Sequence, residues 1–175
     1  MATAADDAAG SGRASPPSFC VVGVVHSPFL SPAGAPIQPY CAGPDAVGRV
    51  EVFEEYAAGL EDLDGFERIW VLSWFHRAGA ARLRVIPYLD SEERGVFATR
   101  APARPNPIGI SAVRLLRREG RWLHVAELDL VDGTPVLDLK PYATAFDSYP
   151  GSRQGWLENR GAGGGPADDR FTAGS

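Results

Sequence analysis

Apolar and polar residues alternate through the middle of the chain with a period of two, the spacing of a strand with one buried face. Val47 to Phe53 (VGRVEVF) shows it most clearly. Phe19 to Val25 (FCVVGVV) and Ile69 to Phe75 (IWVLSWF) are apolar on both faces and rich in β-forming residues, so they predict strands buried on both sides. Leu83 to Tyr88, Gly95 to Thr99, Ile108 to Leu116, Trp122 to Leu130 and Val136 to Lys140 add further short strands. Only Glu54 to Leu63 (EEYAAGLEDL) reads as a helix. Ser27 to Tyr40, with four prolines and a glycine, reads as a long loop. About eight strands and one short helix predict an all-β fold, and closure into a small single β-barrel is the economical form because it leaves no exposed edge.

The ends differ from this middle. Residues 1–18 are Ala, Ser, Gly, Asp and Pro with little to bury, and residues 148–175 are similar, with Gly161 to Pro166 reading GAGGGP. Both are expected to be disordered tails flanking one folded unit, 19–147. At 175 residues and 45% apolar content, one domain with a sizeable core is the expectation. The apolar runs break well before the ~18 residues of a membrane helix, and the acidic start is unlike a signal peptide. A cytoplasmic protein with no membrane partner follows.

Charge changes the picture when taken by segment. The whole chain carries −5, from 22 acids and 17 bases, which argues against indiscriminate nucleic-acid binding. Yet Glu51 to Glu67 holds seven acids and no base, whereas Arg94 to Arg121 holds seven arginines and one acid. This distribution predicts two faces of opposite sign, provided the fold keeps each run together; two ordinary solvated faces are the plainer alternative.

Familiar catalytic patterns are missing. There is no GxGxxG, Walker A, HExxH or GxSxG sequence, and Cys20, Cys41, His26, His76 and His124 form no local metal motif. Three segments are denser in special residues than a barrel needs. Arg94 to Ser111 (RGVFATRAPARPNPIGIS) has three prolines in a short span, predicting a rigid loop that presents Arg100, Arg104 and Asn106; an Arg-rich surface turn is the alternative. In Leu128 to Tyr142 (LDLVDGTPVLDLKPY), Asp132-Gly133 signals a turn, and alternation puts Asp138, Lys140 and Tyr142 on one face. That face points inward toward a ligand, or outward with Asp138 and Lys140 as a surface ion pair. Trp70 to Arg77 (WVLSWFHR) ends an apolar strand in His76 and Arg77, either structural or at the mouth of a ligand site.

Taken in order, GVVHSPF, LEDLDGFERIWVLSWFH, GVFATRAPARPNPIGIS and LDLVDGTPVLDLKPY resemble the TsaA-like (TrmO) family across nearly all of 19–147. The resemblance implies a β-barrel that binds S-adenosylmethionine (SAM), commonly as a homodimer, and methylates N6 of threonylcarbamoyladenosine beside the tRNA anticodon. By motif position it implies cofactor contacts from Pro36, Ile37, Gln38, His76, Arg77, Arg100, Ile108, Asp132, Gly133, Thr134 and Pro135. Arg100 would meet the cofactor carboxylate, and Asp132 would accept from hydroxyl or ammonium. Arg104, Asn106, Asp138, Lys140 and Tyr142 are candidate acceptor-binding residues, with Asp138 or Tyr142 a possible proton acceptor; no catalytic residue is assigned and no metal is implied. Two departures stand out: Ile37 replaces the family's usual Arg, and Arg77 stands where Gln is common. Longer relatives carry a C-terminal domain where this chain has the Gly-rich run. Alternatives that keep SAM are transfer to a small metabolite and a non-catalytic regulatory barrel.

Overall fold

The computed structural model describes residues 18–158, 160 and 164–172; the expected N-terminal tail, apart from residue 18, lies outside them. Eight strands form: β1 (Gly23–His26), β2 (Gly48–Val52), β3 (Arg68–Trp74), β4 (Arg84–Val85), β5 (Arg94–Gly95), β6 (Ile108–Glu119), β7 (Trp122–Ala126) and β8 (Pro135–Pro141). Six of them close an antiparallel barrel in the order β1-β2-β7-β6-β3-β8, with β8 returning to β1. The all-β barrel holds, with six strands in the wall rather than eight. β4 and β5 form a separate two-stranded piece. Of Leu83 to Tyr88 only Arg84–Val85 forms strand, stopping short of Pro87, and of Gly95 to Thr99 only Gly95 does, because the chain turns into a 3-10 segment at Val96–Ala98.

Alternation fixes which side chains fill the barrel. Val25, Val50, Val52, Ile69, Val71, Val113, Leu115, Leu123, Val125 and Val136 point inward and are almost wholly buried. β-branched residues dominate, as suits a narrow, pleated interior. The long β6 serves two partners, pairing with β3 through Ile108–Arg114 and with β7 through Arg114–Glu119, where the register shifts between Leu115 and Arg117. A second shift in the β3–β8 pairing, at Leu72 and Ser73, lets the sheet bend round.

The expected helix is present as a 3-10 segment, Glu54–Leu60. It lacks a side-chain cap at Phe53 and is soon followed by the left-handed Asp62, so no α-helical turn is completed. Two four-residue helices were not expected: α1 (Pro39–Ala42) overlaps the end of the Ser27 to Tyr40 loop, and α2 (Thr144–Asp147) follows the last strand.

The described C-terminal residues correct the expectation of a free tail. Pro166 bridges Pro36, Thr172 bridges Ala78, and Ala167 exchanges backbone hydrogen bonds with Gly34 and Ala35. Phe171 anchors the segment. It is 4% exposed, packs with Val85, Ala101 and Ala103, and meets Tyr88 edge-on at 5.2 Å. The polar, glycine-rich composition of this segment concealed one aromatic with a prepared pocket. Phe171→Ala is expected to lower the unfolding free energy by about 3 kcal/mol, measured by urea denaturation, with the barrel's far-ultraviolet dichroism retained at low urea.

Candidate active site

A cavity of about 630 Å³ opens where β1, β3 and β7 end and β6 and β8 begin. The loops leaving these strands build its walls, and side chains from the C-terminal segment, including Trp156 and Phe171, complete one side.

From the β1–β2 loop come Pro36, Ile37 and Gln38. The prolines restrict this loop, and the turn after β7 holds its start: Ser27 N–H donates to the Asp132 carboxylate at 3.0 Å, and Asp132 N–H donates to Phe29 O at 2.8 Å. His76 and Arg77 follow β3 onto the wall. Arg77 Nε donates to His76 Nε2 at 3.2 Å, and its Nη1 donates to Leu30 O, tying two loops together. Burial, reinforced by the Arg77 charge, holds His76 below its ordinary pKa. A neutral ring accepting from Arg77 is the consistent state at neutral pH.

The Arg- and Pro-rich loop before β6 is cross-braced by hydrogen bonds. Thr99 Oγ1 donates to Val96 O at 2.9 Å and accepts from Ala101 N–H at 3.2 Å, while Arg104 Nη1 donates to Thr99 O at 3.2 Å. Arg100 reaches across the cavity mouth, donating to Gln38 Oε1 at 2.7 Å. Ile108 and Gly109 then start β6. Gly109 is required by contact: a Cβ there would lie 2.6 Å from both Phe75 Cζ and Ser73 Oγ. Its absence lets the Phe75 ring lie flat against the wall.

Pro36, Ile37, Gln38, His76, Arg77, Arg100, Arg104, Ile108 and Thr134 therefore come together on one cavity. Asp132, Gly133 and Pro135 do not line it. They form the turn and strand start behind it, with Gly133 N–H donating to Val25 O at 2.9 Å and Pro135 paired with Val24. Asn106, Asp138, Lys140 and Tyr142 lie off the cavity too. Asp138 and Lys140 take the outward alternative, an ion pair at 2.7 Å, and Tyr142 leans on Trp70 at 5.4 Å.

Among the cavity residues that escaped the sequence reading are Asp129 and Ser111, joined by a 2.6 Å hydrogen bond from Ser111 Oγ. Reading Trp122 to Leu130 as one strand made Asp129 just another alternating residue. Instead β7 stops at Ala126 and Glu127 turns left-handed at φ 59°, redirecting the chain toward the cavity. The available signal was Ser111, a hydroxyl among the otherwise apolar buried positions of β6, Gly109, Val113 and Leu115.

Residues 24–148 match a family model described as the tRNA-methyltransferase O (TrmO) N-terminal domain. The chain belongs to the TrmO family. A probable S-adenosyl-L-methionine-binding protein of Pyrococcus abyssi is 52% identical over 78% of this chain and 74% of its own length. The human tRNA (adenine(37)-N6)-methyltransferase is 37% identical over 73% of this chain but 30% of its own. The crystal structure of TrmO from Pseudomonas aeruginosa superposes with a TM-score of 0.69 at 38% identity, covering 81% of this chain and 63% of that one. The chain thus spans less than two thirds of that TrmO structure and under a third of the human enzyme. The TrmO match ends at residue 148, so the C-terminal segment that walls the cavity falls outside it.

Asp132 acts here through the backbone it fixes. Asp132→Ala is expected to lower stability by about 1 kcal/mol, while Asp132→Asn, which keeps the acceptor oxygen for Ser27, leaves it nearly unchanged; chemical denaturation of both variants checks this.

Proposed function

We propose that this chain is a SAM-dependent methyltransferase acting on tRNA, and that the acceptor is N6 of threonylcarbamoyladenosine beside the anticodon. The observation that carries the reading is the convergence of the family's motif residues, from four separate loops, on one cavity. Its volume of about 630 Å³ suits a cofactor-sized ligand. The donor set suits this one. Ile37, Phe97, Ile108 and Leu130 offer apolar wall for an adenine ring, the Arg100 guanidinium suits a carboxylate, and the Gln38 amide and Thr134 hydroxyl are placed for polar edges. When bound, SAM supplies a methyl group on a sulfonium, an electrophile already activated by its charge. The chain's own task is alignment: the hydrogen-bonded Thr99–Arg104 loop and the Arg77 clamp hold the walls so that an acceptor nitrogen can approach in line.

Charge supports a polyanionic partner at the cavity rim rather than at the Arg-rich hairpin. The two oppositely charged runs do not form separate faces. Arg121 pairs with Glu51 at 2.6 Å, Arg118 approaches Asp64 at 3.9 Å, Arg117 pairs with Glu119 at 2.7 Å, and Arg94 with Asp90 at 2.8 Å. Arg77, Arg100 and Arg104 have no carboxylate partner among the described residues, so their charge is available to phosphate.

A homodimer in the cytoplasm belongs to the same proposal. Leu30, Tyr40, Phe97, Phe146 and Tyr149 are large apolar side chains more than 60% exposed, as an interface requires. Asp138 and Tyr142 face away from their own cavity, so as proton acceptors they would serve the cavity of a second copy. Among the described residues no helix is long and apolar enough to cross a membrane, and no His, Cys, Asp and Glu cluster is placed to hold a metal. The Pyrococcus abyssi relative, named as a probable SAM-binding protein, favours a second reading, SAM binding without transfer.

Incubation with SAM and tRNA from a strain lacking the endogenous activity, followed by nucleoside mass spectrometry, separates the two readings. Methylated threonylcarbamoyladenosine is expected; SAM binding with no product selects the second. Without SAM, Arg77→Glu with Arg100→Glu should weaken tRNA binding roughly tenfold or more and flatten its salt dependence. Arg117→Glu with Arg118→Glu should have the smaller effect. The opposite order in a filter-binding assay would refute the rim assignment.

A further inference from the structure

His76, Arg77, Arg100 and Arg104 all contribute to the cavity wall, and among the described residues there Asp129 is the only acid. Its surroundings are unusual for a carboxylate amid so much basic charge. The one side-chain hydrogen bond it accepts is from Ser111 Oγ, at 2.6 Å, and no described base forms an ion pair with it. Arg100 acts on it only through space, its hydrogen bond going to Gln38. The Cys41 thiol faces it from α1, and the wall beside it is Leu130 and Ile110. A partly buried carboxylate whose support is one hydroxyl and its own backbone N–H disfavours the folded state, and such a group in a cavity is explained by a ligand that completes it. What completes a lone carboxylate is a cation.

We propose that the Asp129 carboxylate is the counter-ion for a positive centre of the bound cofactor. The inference rests on the SAM reading above, and SAM carries two such centres, its α-ammonium and its sulfonium. It gives Asp129 the charge-pairing role that the motif comparison assigned to Asp132.

A proton and the ligand cation then compete for one site. Burial pushes the Asp129 carboxyl up to about 7, with Ser111 and Arg100 pulling the other way. SAM binding should therefore expel a proton near neutral pH, and affinity should fall as pH drops below about 7. The other groups around the cavity do not imitate this. His76 is held below its ordinary value by burial and Arg77, Cys41 is raised by burial and by Asp129 itself, and Tyr88 is pushed up to about 12. For the ligand-free protein the sign follows from a folded pKa of about 7 against an ordinary value of 3.8. Between those values the folded state holds a proton that the unfolded state has released, so stability contributed by this group falls as pH rises to about 7 and stays low above it.

The test is calorimetric titration of SAM into wild type and Asp129→Asn from pH 5.5 to 8, with denaturation of both ligand-free proteins. Wild-type affinity should fall toward tenfold per pH unit below the transition. Asp129→Asn should bind at least roughly tenfold more weakly at pH 8, show no such pH dependence, and be the more stable protein without ligand at that pH. Ser111→Ala, which removes the hydroxyl that favours ionisation, should move the wild-type profile to higher pH. S-adenosylhomocysteine distinguishes the two centres: an equal loss on substitution assigns the ammonium, and no loss assigns the sulfonium. If wild type binds SAM and Asp129→Asn binds it equally well at pH 8, the counter-ion role is wrong while the functional reading stands. If wild type does not bind SAM at all, the functional reading fails first.

Discussion

Closure of the six-stranded barrel is the constraint from which the site follows. Its interior is filled by valines, among them Val25, Val50, Val71, Val113, Val125 and Val136, packed with Ile69, Leu115 and Leu123, so it has no room for a ligand. A binding site must then form beyond the strand ends, from loops. Loops hold geometry poorly unless they are cross-braced. This chain braces them repeatedly: Asp132 to the β1–β2 loop, Arg77 to Leu30, Arg100 to Gln38, and Arg104 to its own turn. Three of the four braces use an arginine, which suits a site that must also present positive charge.

The same closure explains why segment charges mislead. Strands far apart in sequence become neighbours once the sheet closes. β2 runs beside β7, with Glu51 opposite Trp122, and this brings Glu51 within 2.6 Å of Arg121 at the start of that strand. His26 adds to the pairing from β1, and its hydrogen bond, with Arg121, holds the Glu51 carboxyl below the usual range. An acidic run and a basic run that look like two faces along the chain are two sides of one seam. The positive charge left over is the part whose partners are backbone or amide oxygens.

Strand positions were legible because alternation is a local property. Val47 to Phe53 and Ile69 to Phe75 match β2 and β3 to within a residue at each end. Strand count in the wall was not, because β4 stops short of Pro87, β5 runs into a 3-10 segment, and the two pair only with each other. In the site, the motif resemblance pointed to loops that line one cavity but passed over Asp129 in favour of Asp132. Asp132 and Asp129 both sit in LDLVDG, and only the left-handed Glu127 decides which carboxylate reaches the cavity. Backbone geometry of that kind leaves little trace in residue type, since Glu is not a residue that favours φ > 0.

Ile37 shows how a departure from the family pattern can be local packing rather than altered chemistry. The C-terminal segment lies directly on it: a Cβ on Gly164 would sit 2.4 Å from Ile37 Cδ1 and 3.0 Å from Cys41 Sγ. A larger residue at 164 would have to move the Ile37 side chain aside. An arginine at 37 would have to bury its guanidinium under this crossing or displace the crossing itself, and either disfavours the closed wall. The apolar side chain at position 37 and the segment that returns over the cavity therefore pack as one unit. Arg77 and Arg100, reaching in from the opposite loops, keep positive charge at a rim whose near side has become apolar and covered.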